Sequence, residues 1–149
     1  MKLFRIDGSL IIDKPKIDNM KELVEYCVRE GISLHHSDLQ YANMQLANMR
    51  GANMRGADMQ LANMQGADMR HADMQYANLY KANLYKANLY KANLYDADLR
   101  GANMQYANLY KANLHNTDLY KADLQNADLR DANMQGADMR SADFSFAIL

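Results

Sequence analysis

Residues 77–96 read ANLYKANLYKANLYKANLYD, four near-identical five-residue units in succession. The unit Ala-(Asn/Asp)-(Leu/Met)-x-x extends outward from this stretch in both directions, from Ser37 to the last residue, without an insertion. Its central apolar residue falls at Leu39, Met44, Met49 and every fifth position to Phe144, which makes 22 repeats and a remnant ending at Leu149. Only Ser37 and Thr117 replace Ala at its position, and only Phe144 departs from Leu or Met at the centre.

A period of five excludes the ordinary structures. An α-helix turns about 100° per residue, so apolar residues five apart spiral around it and never form a buried stripe. A straight strand alternates faces with period two, so an odd repeat sends successive Leu or Met residues to opposite sides. The chain must therefore turn once per repeat, as a short extended piece followed by a corner. Leu79, Leu84 and their equivalents then point inward beside the small Ala77 and Ala82. One such coil buries little, but coils stacked about 4.8 Å apart pair their backbones and share a continuous core.

The repeats resemble those of the pentapeptide repeat family, and the resemblance covers residues 37–149. It implies an all-β solenoid, a right-handed quadrilateral β-helix with four repeats per coil. On that geometry the repeats make about five and a half coils, a rod roughly 26 Å long at the spacing of paired strands.

Residues 1–36 lack the repeat and are expected to cover the coil end, where an open rung leaves backbone groups and apolar side chains unpaired. Leu3 to Ile6 and Leu10 to Ile12 read as short strands around the turn Asp7-Gly8, with Pro15 ending the second. Asp18 or Asn19 can cap a helix from about Met20 to Glu30, with Glu22 completing a capping box and Gly31 ending it. Met20, Leu23, Val24, Cys27 and Val28 share one face of that helix, the face expected on the first coil. The leader also resembles that of some bacterial and phage pentapeptide repeat proteins.

Seventeen basic and 18 acidic residues leave no bulk charge to draw the chain to nucleic acid or an anionic membrane. The single Cys27 forbids an internal disulfide, and no apolar run has the length of a membrane span or secretory signal, so a cytoplasmic location is expected. Ten of the 12 Met residues are central repeat residues, where a flexible unbranched side chain fills the core as Leu does.

No enzyme motif is present, and a loopless rod offers ladders of like groups rather than the converging unlike groups of an active site. No catalytic residue, cofactor or metal is expected. His35, His36 and Asp38 come nearest to a metal set, but neighbours on an extended chain point opposite ways. The Asn/Asp column lacks the Gly-rich turns of calcium-binding β-rolls, and its side chains are expected to bond corner backbone groups or stay solvated.

Twenty residues per coil sort the outward side chains into four faces. One stacks Arg50, Arg70, Tyr90, Tyr110 and Arg130 beside Gly51, His71, Lys91, Lys111 and Asp131. Five cations there oppose the anions Asp68, Asp128 and Asp131, making it the most basic and aromatic face and the candidate partner-binding surface, with guanidinium groups expected to stack on the rings. Another carries Asp38, Asp58, Asp98, Asp118 and Asp138, interrupted by Asn78; the row resembles spaced phosphates, although Lys81, Arg100, Lys121 and Arg140 share its face. Tyr80, Tyr85, Tyr90 and Tyr95 girdle one coil, an aromatic belt suited to a protein interface. Phe144, Phe146, Ile148 and Leu149 are expected to close a two-fold dimer end to end.

The expected function is a non-enzymatic binding or scaffold protein that presents side-chain ladders to a protein partner, with no role in a membrane. The alternative comes from the resemblance, which includes DNA mimics that bind type II topoisomerases such as gyrase and protect them from quinolones. Those relatives are strongly acidic, commonly looped, and dimerise through a carboxy-terminal helix; this chain is near-neutral and has neither loop nor helix there. Nucleic-acid binding by the Arg/Tyr/Lys face lacks the net charge such a domain carries.

Overall fold

The computed structural model describes all 149 residues. From His36 to Phe146 every fifth residue has φ between 52° and 74°. These are the second x positions, and 18 of them are not glycine. Each is the second central residue of a turn in which the Ala-position N–H donates to the Leu/Met carbonyl three residues earlier, as in Ala87 to Leu84 at 2.9 Å. Positive φ at the second central residue alone defines a type II β-turn. None of the corner residues is β-branched or proline, the types least able to adopt this backbone.

Between corners the chain pairs with itself one coil away. Parallel bridges join Asp38 to Asp58, Asn43 to Asn63 and so on through Asp128 to Ile148, always twenty residues apart. Around each bridge the Leu/Met N–H donates to the next coil's Asn/Asp carbonyl, as in Leu89 to Asn108 at 2.7 Å, and the corner N–H does likewise, as in Lys91 to Tyr110 at 3.0 Å. Each extended piece is too short to count as a strand, so the solenoid is built of single bridges. Inside, the Ala and Leu/Met columns form one buried cluster running from Leu39 to Leu129. Thr117 enters the Ala column by donating its hydroxyl to Leu94 O at 3.0 Å, whereas the Ser37 hydroxyl is buried without a partner.

The last coil opens. Met139 is 43% exposed, Ile148 53%, Leu149 74% and Phe146 84%. Phe144 is half-buried against the core, as is Met134, so the apolar end surface includes Met134 and Met139 as well as the terminal residues.

At the other end β1 (Lys2–Phe4) pairs antiparallel with β2 (Leu10–Asp13). The first strand is shorter than the sequence implied because its continuation leaves the hairpin for the solenoid: Arg5 bridges Ser37, Ile6 N–H donates to His36 O, and Phe4 O accepts from Asp38 N–H. Helix α1 (Met20–Arg29) starts at Asn19, whose side chain accepts from Glu22 N–H at 2.9 Å; the reciprocal bond of a capping box is not made. Gly31, at φ 68°, ends it by donating to Val28 O, and Ile32 N–H donates to Cys27 O, a Schellman pair. Leu23, Val24 and Cys27 are buried in the solenoid core, while Met20 and Val28 are half-buried at its margin. Leu34 already occupies an inward coil position and donates to Asn53 O at 2.8 Å.

The left-handed corner makes a direct prediction. Lys86, at φ 56°, is exposed, and a β-branched residue is strained there while glycine is not. Urea unfolding is expected to find Lys86→Val less stable than Lys86→Gly by at least about 1 kcal/mol. Equal stabilities would remove the corner from the account.

Candidate partner-binding face

Every Asn/Asp side chain of the 22 repeats uses Oδ1 to accept the backbone N–H two residues on, from Asp38 with Gln40 to Asp143 with Ser145. This Asx bond fixes the start of the corner and with it the direction of the first x side chain. The column is thus part of the backbone's bonding, the first of the two roles its composition allows.

On the face selected from sequence, the bridges stack Asn48, Asp68, Asn88, Asn108 and Asp128, and the aromatic residues follow them. Tyr90 and Tyr110 stack at 5.7 Å with planes 30° apart, and His71 meets Tyr90 edge-on at 5.4 Å. Lys91 lies 5.2 Å from the Tyr90 ring, Lys111 4.8 Å from the Tyr110 ring, and the Arg130 guanidinium 5.4 Å from Tyr110. Arg70 does not stack on Tyr90 as expected: it grips Asp68 through Nε at 2.8 Å and Nη2 at 2.5 Å, leaving the ring to His71. Arg130 binds Asp128 in the same bidentate way, and Lys111 reaches Asp131 at 4.0 Å. Arg50 and Lys91 alone among the five cations lack a carboxylate partner. The face is aromatic, with most of its charge spent locally.

Three members of the acidic column are paired in the same manner. Arg100 grips Asp98 at 2.9 and 2.6 Å and lies 3.6 Å from Asp118, and Arg140 grips Asp138 at 2.9 and 2.7 Å. Asp58 accepts from the Asn78 side chain at 3.1 Å, so the interrupting Asn joins the column by a hydrogen bond. Asp38 keeps only its corner bond, to Gln40.

The belt residues Tyr80, Tyr85, Tyr90 and Tyr95 are half-buried against neighbouring coils. Tyr95 stacks on His115 at 5.3 Å and meets Tyr76 at 5.8 Å, Arg55 covers Tyr76 at 5.1 Å, and Tyr85 meets Tyr106 at 5.7 Å. Several of these are diagonal contacts, nineteen or twenty-one residues apart, which sorting strictly by twenties does not reveal. No three His, Cys, Asp or Glu side chains gather as metal ligands; His35 instead shares a 2.9 Å hydrogen bond with Ser33.

The ion pairs set a pH dependence. Hydrogen bonds from Arg140 hold the Asp138 carboxyl below its ordinary range. Burial pushes Asp98 upward, but the side chain and N–H of Arg100 more than offset it, so Asp98 is also lowered. Carboxyls lowered by folding contribute stability that is complete above the unfolded-state value, about 3.9, and is lost as pH falls through the lowered folded values. The thermal midpoint is therefore expected to drop below about pH 4, and Arg100→Ala/Arg140→Ala is expected to shrink that drop. Carbon NMR titration of Asp98 is expected to show its pKa rising in Arg100→Ala; an unchanged value refutes the assignment.

The sequence profile of pentapeptide repeats, in eight copies, matches residues 30–66, 67–105 and 107–145. The chain belongs to the pentapeptide repeat family. Members of this family form right-handed quadrilateral β-helices, the architecture to which the twenty-residue coils conform. A pentapeptide repeat protein of the Arabidopsis thaliana thylakoid lumen is similar at 27% identity over 68% of this chain and 70% of its own, with a TM-score of 0.66. HetL of the cyanobacterium Nostoc, involved in heterocyst differentiation regulation, is 27% identical over 75% of this chain and 74% of its own, with a TM-score of 0.37. QnrB1, a plasmid-mediated fluoroquinolone resistance protein, is 22% identical over 81% of this chain and 68% of its own, with a TM-score of 0.49. No curated protein matches the sequence.

Proposed function

We propose that this pentapeptide repeat protein is a non-enzymatic scaffold that binds a protein partner through the face of Arg50, Arg70, Tyr90, Tyr110 and Arg130, with Lys91 and Lys111. The observation that carries this reading is the Tyr90–Tyr110 stack flanked by two lysines on a rigid, loopless wall. Tyrosine rings supply large contact area at low entropy cost, and Tyr and Arg are the residues enriched at interface hot spots. Local pairing of Arg70 and Arg130 leaves little free charge for a polyanion, which favours a protein over nucleic acid.

In this reading the repeats make about five and a half coils, and the hairpin and α1 serve as the cap of their first edge. Two copies meet at the apolar last coil, through Phe144, Phe146, Ile148 and Leu149 with Met134 and Met139. The single buried Cys27 suits a reducing cytoplasm, where we place the protein, and no helix is long and apolar enough to cross a membrane. The alternative, duplex-DNA mimicry toward a topoisomerase such as gyrase, draws on the acidic column and stands second because arginines neutralise Asp98, Asp118 and Asp138.

Affinity capture from a bacterial lysate, comparing the wild type with Tyr90→Ala/Tyr110→Ala, is expected to lose the partner in the variant; equal recovery clears this face. In a gyrase supercoiling assay, excess protein is expected to leave the rate unchanged, and inhibition promotes the alternative. Light scattering at micromolar concentration is expected to give twice the 17.0 kDa chain mass, and a monomer removes the end-to-end dimer.

A further inference from the structure

The first coil is not sealed equally on its four sides. In the interior, each repeat meets the coil before it through three groups, shown by the second coil: Asn63 N–H donates to Ala42 O, Asn63 O accepts from Met44 N–H, and Gln65 O accepts from Leu46 N–H. On the first coil these groups face whatever precedes the solenoid. Asp38 N–H is taken by Phe4 O, and Asn48 N–H by the Glu25 carboxylate at 2.9 Å. Asn53 lies under the Gly31–Ser33 connection, with its carbonyl already taken by Leu34. At Asn43 alone are the donor and both acceptors, Asn43 N–H, Asn43 O and Gln45 O, all without partners.

This edge borders a groove of about 530 Å³ between α1 and the first coil, lined by Asn19, Met20, Lys21, Glu22, Glu25, Asn43 and Gln45. Asn43 and Gln45 are exposed, and Ala42 is 9% exposed where most later members of its column are sealed. The Glu22 carboxylate has no cationic partner, and Glu25 spends one oxygen on Asn48. The opening therefore combines an unpaired backbone edge with a helical wall on which Glu22 and Glu25 outnumber Lys21.

We infer that this groove is a docking site for an extended, lysine-bearing segment of a partner chain, added parallel to residues 42–46 as a further rung of the solenoid. The unpaired groups fix its register. Its first residue offers a carbonyl to Asn43 N–H, its third an N–H to Asn43 O, and its fifth an N–H to Gln45 O. Main-chain bonds of this kind supply affinity, and the side chains between them supply selectivity. Lysines at the second and fourth positions meet Glu22, small residues at the first and third fit against Met20, and the fifth is an exposed corner position, as Leu46 is, open to any side chain. The site is separate from the Tyr90–Tyr110 face, so either stands without the other.

The test uses the full chain and the peptide acetyl-Ala-Lys-Ala-Lys-Lys-amide. Its addition is expected to shift the Asn43 amide resonance saturably and to slow hydrogen exchange there by about tenfold or more. N-methylation of the peptide's third residue, which deletes one donor and leaves the charge intact, is expected to weaken binding about tenfold. Glu22→Lys is expected to weaken it too, while Tyr90→Ala/Tyr110→Ala leaves it unchanged. An Asn43 amide that stays unshifted at about 5 mM peptide, or an N-methylated peptide that binds as well as its parent, overturns the inference.

Discussion

A corner closed every five residues is the constraint on which the rest of the chain depends. Its second x residue lies in the left-handed region, where a side chain costs about 1–2 kcal/mol, and 18 non-glycine residues occupy it. Three bonds hold each interior corner: the turn bond from the Ala-position N–H, the bond from the corner N–H to the next coil, and the Asx bond from the Asn/Asp side chain. A unit of five leaves no room for error, because one residue inserted or lost would turn the Leu/Met column out of the core.

The same constraint explains why the fold was so legible. Backbone sterics, strand alternation and the helical angle together leave a coil as the only way to bring Leu79, Leu84, Leu89 and Leu94 inside, and all four are buried. The chemistry of the Asn/Asp column left corner bonding and simple solvation both open, and the structure selects the first. The capped helix was legible for a local reason, since Asn19 and Gly31 act within a few residues of themselves. Strand β1 was overestimated because the fate of Arg5 and Ile6 depends on Ser37 and His36, partners that no local pattern names.

Surface chemistry was legible only in part. Sorting by twenties placed Tyr90 on Tyr110 and aligned Asp38 with Asp58, but it could not show which way an arginine turns. Arg70, Arg100, Arg130 and Arg140 all fold back two residues onto an aspartate held still by its own corner bond. That local pairing ties most of the charge on these two faces to partners within the wall, leaving Arg50 and Lys91 free on one and Asp38 and Asp58 without a cation on the other. What distinguishes the walls is then their aromatic stacks, and what distinguishes the ends is which backbone edges remain unpaired.

The central claim is that residues twenty apart lie one rung apart on the same wall. Cysteine pairs test it directly, since neighbouring rungs place Cα atoms about 4.8 Å apart, within disulfide range. In a Cys27→Ala background, Tyr90→Cys/Tyr110→Cys is expected to cross-link readily within the chain under mild oxidation, and Tyr90→Cys/Arg100→Cys, on opposite walls, is expected to form no intramolecular disulfide. Rapid intramolecular closure of the second pair with none in the first would contradict the twenty-residue coil and every face assignment built on it.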